Sequence, residues 1–273
     1  MISQSESARY LETGLLRIDG LLSQPEVAAL ANLVDDLMLG ERSLSGMFFQ
    51  LDPNSPDYSK VNFEETNFVG PSLNYRKIKD LEYVPEFLAA VQGKKVEEIA
   101  HKFVGSEVST MRTMVVNKPS MSQTPLPWHQ DISNDWPMSQ RPILTIWIAL
   151  DAVDEENGCV EWLAGSHLQG EVDGGHLTSD SSLSSLMSNF PIVKGILKPG
   201  DAVVFDNAVI HRSQPNISGR RRRGLTLCLM KAETYNTKTN TYYPKIFGTD
   251  ALTPSDVAKL KQVPLNRPKD FGE

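Results

Sequence analysis

The chain has 273 residues, 40% apolar and 22% charged, which is ordinary globular composition and enough length to bury a substantial core. A formal net charge of -7 and a pI near 5.3 give a surface that repels a phosphate backbone and an anionic membrane alike, so neither nucleic acid nor a membrane is expected as a partner. With no internal repeat and no Gly/Ser-rich or Pro-rich linker, a single domain over 1–273 is expected.

Residues 1–105 read as helical and irregular. Gln24-Pro25-Glu26 opens a pattern in which Val27, Leu30, Leu33 and Leu37 fall on one helix face, and a second helical segment is expected from Pro85 to Phe103. Between them, residues 41–75 are rich in Ser, Asn, Asp and Pro and read as a long loop, a class of segment that often covers a binding site. From about 106 to 232 the texture changes to short β-branched and aromatic runs bounded by turn residues. These are Val108–Val116, Ile143–Leu150, Cys159–Leu163, Ile192–Leu197, Ala202–Phe205 and Leu225–Met230. Such strands predict a mainly β fold with flanking helices, its core a jelly roll or related double-sheet barrel. The tail, 233–273, returns to polar, Pro-containing sequence.

The two cysteines, Cys159 and Cys228, lie in apolar runs and suggest buried thiols, not a disulfide framework. The opening residues lack a charged n-region followed by an apolar h-region, and no stretch reaches the length of a membrane span, so a cytoplasmic location is expected. Asn216-Ile217-Ser218 matches a glycosylation acceptor by chance on that reading, and Arg220-Arg221-Arg222-Arg223 reads as a solvated turn.

Chemistry is expected first at Trp128-His129-Gln130-Asp131. In an extended strand residues two apart share a face, so an imidazole and a carboxylate converge there and make two-thirds of a facial triad for non-haem iron. Of the five histidines, only His211 closes a strand-like run, Asn207–His211, behind the turn and strand Lys198–Asp206. By itself His211 also reads as a hydrogen-bonded core histidine. His101 and His176 have no partner at informative spacing. Trp128 and Trp136 bracket the motif as pocket walls or as core, and Thr145 reads as pocket lining or as a packed strand residue.

Taken together, His129-x-Asp131, His211-Arg212-Ser213, Asn216-x-Ser218 and Arg222 resemble the motif set of the phytanoyl-CoA dioxygenase family of Fe(II)/2-oxoglutarate oxygenases. The segment Gly158–His167, ending in Gly-Ser-His, resembles the stretch between that family's ligand strands, and the likeness covers roughly residues 10 to 230. The resemblance implies a double-stranded β-helix of cupin-like type. It implies Fe(II) held by His129, Asp131 and His211, with 2-oxoglutarate and O2 as cosubstrates. Arg222, eleven residues beyond His211, would bind the distal carboxylate of 2-oxoglutarate, with Ser213 and Asn117 as further contacts. Its planar fork suits that role, while strand alternation sends Arg221 and Arg223 to the opposite face. His167 is expected to bond backbone at a loop edge.

The implied reaction oxidises a C–H bond of a small-molecule metabolite, hydroxylation being the commonest outcome, with release of succinate and CO2. Asp131 disfavours halogenation, since related halogenases carry a small residue there. A small biosynthetic metabolite of secondary metabolism is the expected substrate, covered by the 41–75 loop and by 173–189. Two other readings stand beside it: a metal-binding barrel that only binds a small molecule, and a zinc-dependent hydrolase.

Overall fold

A computed structural model of the protein describes residues 2–62, 67–265 and 268. Helix α1 (Gln4–Thr13) starts at Ser3, whose hydroxyl accepts from the Glu6 amide while the Glu6 carboxylate accepts from the Ser3 amide, so orphan donors are met reciprocally. Strand β1 (Leu15–Ile18) follows. Helix α2 (Gln24–Leu39) repeats the device with Ser23 and Glu26, and the predicted face of Val27, Leu30, Leu33 and Leu37 is buried.

Residues 41–75 are less loop-like than their composition suggests. They contain β2 (Phe49–Leu51) and lead into β3 (Tyr75–Ile78), strands of three and four residues that are too short to display an alternating pattern. The helical segment expected from Pro85 to Phe103 is two helices, α3 (Pro85–Val91) and α4 (Lys94–Phe103), with the weak helix former Gly93 as the N-cap of the second.

The β core follows in chain order as β4 (Val108–Lys118), β5 (Leu126–His129), β6 (Leu144–Ala149) and β7 (Val160–Leu163). Helix α5 (Asp180–Asn189) precedes β8 (Ile192–Lys194), β9 (Ala202–Asp206), β10 (His211–Ser213) and β11 (Arg222–Lys231). The polar tail contributes β12 (Lys245–Phe247) and α6 (Pro254–Val257), so strands come from both sides of the expected β region.

All pairings between these strands are antiparallel. The large sheet runs β1, β9, β6, β11, β4, β3, β2, with β12 also on β4, and the small sheet runs β5, β10, β7, β8. This is the double-stranded β-helix that the resemblance implies, and it is a double-sheet barrel as the strand pattern predicts. Side-chain alternation then divides the residues of β11. Leu225, Leu227 and Leu229 join the outer core formed with α2, α3 and α4, which leaves Arg222, Gly224 and Thr226 on the face turned to the small sheet. A second core, with Trp147, Val160, Trp162 and Phe205, joins the two sheets.

The arginine run is not a solvated turn. Arg220 pairs with Asp154 at 2.7 Å, Arg221 with Asp35 at 2.8 Å, and Arg223 with both Asp151 and Asp35, which ties β11 to α2. Asn216 is buried and donates to the carbonyls of Lys118, Pro119 and Arg220, so its amide closes a turn and is closed to glycosylation.

Candidate metal centre and cosubstrate pocket

Cross-strand pairing assembles the centre. His129 at the end of β5 lies directly opposite His211 at the start of β10, and their ring centroids are 4.0 Å apart. His211 therefore opens its strand; the run before it, expected to be extended, is a turn in which the Val209 amide bonds to the Asp206 carbonyl. Asp131 likewise lies past the end of β5, so its convergence with His129 is not strand alternation. It follows from Gln130, which is fully buried. Its amide group donates to the Gly170 and Ala208 carbonyls and accepts from the Val172 amide, while the Asp131 amide bonds to the Asn207 carbonyl at 2.9 Å.

His129, Asp131 and His211 each offer one ligand atom, all within 4.8 Å of one another. Both rings are oriented alike. His129 Nδ1 lies 2.8 Å from the Pro127 carbonyl and His211 Nδ1 lies 2.9 Å from that of Val209. A carbonyl can only accept, so Nδ1 carries the proton in each ring and Nε2 is left with its lone pair for a metal. The second Asp131 oxygen sits 3.8 Å from His211 Nε2.

The charge states suit a cation. Burial, then the neighbouring His211 and His176, push His129 well below the ordinary histidine range, and burial lowers His211 as well against the opposing pull of Asp131. Burial resists ionisation of Asp131, but Arg112 and His211 outweigh it and hold its carboxyl below the usual range. Two neutral imidazoles and one carboxylate are the protonation states that metal binding requires.

The sheets enclose a cavity of about 490 Å³ against this cluster, and Arg222 lies in its wall. Arg222 is 1% exposed. Its Nη2 donates to the Gly158 carbonyl at 2.8 Å, whereas Nε and Nη1 have no partner among the described residues. Burial pushes the guanidinium down to about 10, so it stays charged at neutral pH. A buried cation with two unmet donors is costly unless an anion completes it, and a carboxylate matches its geometry. The residues present thus fit a divalent metal with a carboxylate-bearing cosubstrate.

Of the other expected contacts, Ser213 lines the cavity, two residues along β10 from His211. Asn117 does not. Arg112, Met114 and Val116 face the cavity from β4, so Asn117 points to the other side and donates to the Leu73 and Tyr75 carbonyls. Thr145 is buried on an Asn207 bond at 2.8 Å, and Trp128 packs with Leu163, Leu183 and Ile210 under the Arg212 guanidinium. Trp136 does wall the cavity, and His167 bonds the Leu11 carbonyl at 3.2 Å. Of the two expected covering segments, Phe48, Gln50, Tyr58 and Ser59 reach the cavity from the first and His176 and Leu177 from the second. Helix α5 instead packs its Leu183 and Leu186 beside Trp128.

Three neighbours of the centre had no sequence signal. His176 lies on a loop, its ring centroid 4.9 Å from that of His129 and 5.7 Å from that of Trp136. Burial pushes it down to about 4. Between that value and the free histidine value of about 6.5 the unfolded chain binds a proton that the fold excludes, so stability falls as pH falls through this window. Thermal unfolding of metal-free protein should show a melting temperature that declines from pH 7 to pH 4, less steeply in His176→Asn; identical slopes would refute the assignment.

Arg112 is the second neighbour, bonded to Asp131 at 2.6 Å. The third is Gly224, between Arg222 and Thr226 on β11. A Cβ there would overlap the Trp147 six-membered ring, which lies against the strand beside Arg222. Gly224→Ala is expected to drive Trp147 into the cavity and to destabilise the fold by about 1–3 kcal/mol. Equilibrium denaturation tests the second effect, and 2-oxoglutarate binding, expected to weaken, tests the first.

A double-stranded β-helix with this cluster beside a buried, anion-seeking arginine defines the class: Fe(II)/2-oxoglutarate-dependent non-haem iron dioxygenases. The sequence model of the phytanoyl-CoA dioxygenase (PhyH) family matches residues 10–224, and the chain belongs to that family. It is 26% identical over 242 residues to the probable alpha-ketoglutarate-dependent hypophosphite dioxygenase of Stutzerimonas stutzeri, covering 84% of this chain and 79% of that protein. To the peroxisomal phytanoyl-CoA dioxygenase of Bos taurus it is 24% identical over 259 residues, covering 91% and 72%. Among solved structures, the non-haem alpha ketoglutarate-dependent carbocyclase SnoK of nogalamycin biosynthesis superposes with a TM-score of 0.65 at 21% identity, covering 98% of this chain and 93% of that one.

Proposed function

We propose that His129, Asp131 and His211 hold Fe(II) and that Arg222 anchors 2-oxoglutarate, the protein using both to hydroxylate a C–H bond of a small metabolite. The observation that carries this reading is the pairing of a compact His-Asp-His cluster with Arg222, whose two unmet N–H donors lie in the wall of the same cavity. A zinc hydrolase leaves that arginine unexplained.

When bound, iron with 2-oxoglutarate supplies the oxidant: dioxygen is consumed, 2-oxoglutarate is decarboxylated to succinate and CO2, and one oxygen atom is delivered to the substrate. The chain's own residues do the positioning. Arg222 neutralises the distal carboxylate, and Ser213 stands beside it as a hydroxyl donor. Trp147, Phe205 and Met114 line the space between with apolar surface that excludes water. Trp136, His176 and Leu177 wall the cavity together with Phe48 and Tyr58, and a substrate held among them faces the metal.

The whole chain is read as one catalytic domain. The two free, buried cysteines favour a cytoplasmic location, and no helix among the described residues is long and apolar enough to cross a membrane. The named relatives act on small molecules, and a cavity of this size accepts a ligand of that class.

The test is an anaerobic titration with Fe(II) and 2-oxoglutarate, read by the weak visible metal-to-ligand charge-transfer band of the chelate. The band should form in the wild type and vanish in His129→Ala. Bound iron without the band would discard the cosubstrate assignment.

A further inference from the structure

We propose that Arg112 is a positioning residue of the metal site: it holds one carboxylate oxygen of Asp131 away from the metal and so makes Asp131 a single-oxygen ligand. The inference rests on the iron reading above and concerns a residue that no motif marks. Arg112 sits on β4 opposite Cys228 of β11. One step further along β11, Leu229 is opposite Thr110, so Met111 is an extra residue, a β-bulge next to Arg112. Bulges re-aim side chains, and beyond this one Arg112, Met114 and Val116 line the cavity. Arg112 is 8% exposed and Asp131 5%, and Nη2 of the arginine donates to Asp131 Oδ1 at 2.6 Å.

That bond divides the work of the carboxylate. Oδ1 is engaged by the guanidinium, while Oδ2 is the oxygen beside His211 Nε2. For Oδ1 to reach a metal as well as Oδ2, it would have to give up its short, charge-assisted bond to the buried guanidinium. The count of coordination positions gives the bond its consequence. Two imidazoles and one carboxylate oxygen leave three of six octahedral positions, of which 2-oxoglutarate takes two and dioxygen needs the last. A two-oxygen Asp131 would fill that last position. A buried ion pair is also a poor device for stability alone, since apolar residues of similar volume stabilise as well or better.

Nitric oxide, a stable stand-in for dioxygen, reads the open position directly. Wild-type protein loaded anaerobically with Fe(II) and 2-oxoglutarate should bind it and give a spin-three-halves electron paramagnetic resonance signal. Arg112→Met, with its iron content confirmed, should bind nitric oxide about tenfold or more weakly. Arg112→Lys, which can still donate to Oδ1, should recover most of the signal. Equal nitric oxide affinity in wild type and Arg112→Met overturns the proposal. No iron binding by the wild type overturns the iron reading itself, which keeps the two failures distinct. Should Arg112→Met not fold, an anaerobic crystal structure of the wild type with iron and 2-oxoglutarate decides. Oδ2 alone on the metal with Arg112 still on Oδ1 supports the proposal, and both oxygens on the metal end it.

Discussion

His211→Ala is expected to reduce turnover to background and to eliminate the charge-transfer band while the fold persists. On the proposed reading the ring supplies a metal donor at Nε2, and its other nitrogen bonds the carbonyl two residues back. Changing the orientation of a ligand through its hydrogen-bond partner already costs about 10–100-fold in affinity or activity, so deleting the ligand should cost on the order of 100-fold or more in metal affinity. Backbone pairing of β10 with β5 and β7 does not involve the ring, and removing it should lower the stability of metal-free protein by about 1–3 kcal/mol. Equilibrium dialysis against Fe(II), circular dichroism and succinate release separate these effects. Undiminished iron binding with a native spectrum would transfer the ligand role, and His176 beside His129 is the nearest imidazole that could assume it.

Arg222→Ala should act on the cosubstrate and leave the metal in place. Each hydrogen bond to a charged group contributes about 1.5–3 kcal/mol, so losing two of them predicts a fall in 2-oxoglutarate affinity of roughly 100-fold or more. Iron affinity and the rate at saturating 2-oxoglutarate should change far less. Arg222→Lys should recover only part, because an ammonium is a point charge without the planar fork. Metal-free protein gives a second readout of opposite sign. Arg222 is a buried cation without a counter-ion at its free nitrogens, so Arg222→Met should leave melting temperature unchanged or raise it. Calorimetric titration of 2-oxoglutarate into Fe(II)-loaded protein is the deciding measurement. Unchanged affinity would point to Lys77, the lysine of β3 that lines the same cavity, since Arg221 and Arg223 are held by acidic partners on the other face.

Legibility followed the range of the interaction. The strand content, the helix face of α2 and the inward direction of Arg222 between two outward arginines all follow from backbone period, a local property. The helix break before Gly93 and the short β2 and β3 were hidden because neither carries enough residues to show a period. The side on which Asn117 lies was hidden for a related reason: one step along a strand reverses the face, and register placed its amide on Tyr75 and Leu73.

The sequence by itself therefore determined the chemistry available: two histidines, an aspartate and an arginine at separations that a double-sheet barrel can close. Only the tertiary structure decided what surrounds them. The His129 to His211 contact is a register fact about β5 and β10, and Arg112 reaches Asp131 because of a one-residue bulge in β4. His176 stands beside His129 because the loop before α5 folds back onto Gln130, whose backbone amide bonds the His176 carbonyl. Each contact joins segments with no shared local pattern, and their geometry is set by packing of the whole barrel rather than by propensity along the chain.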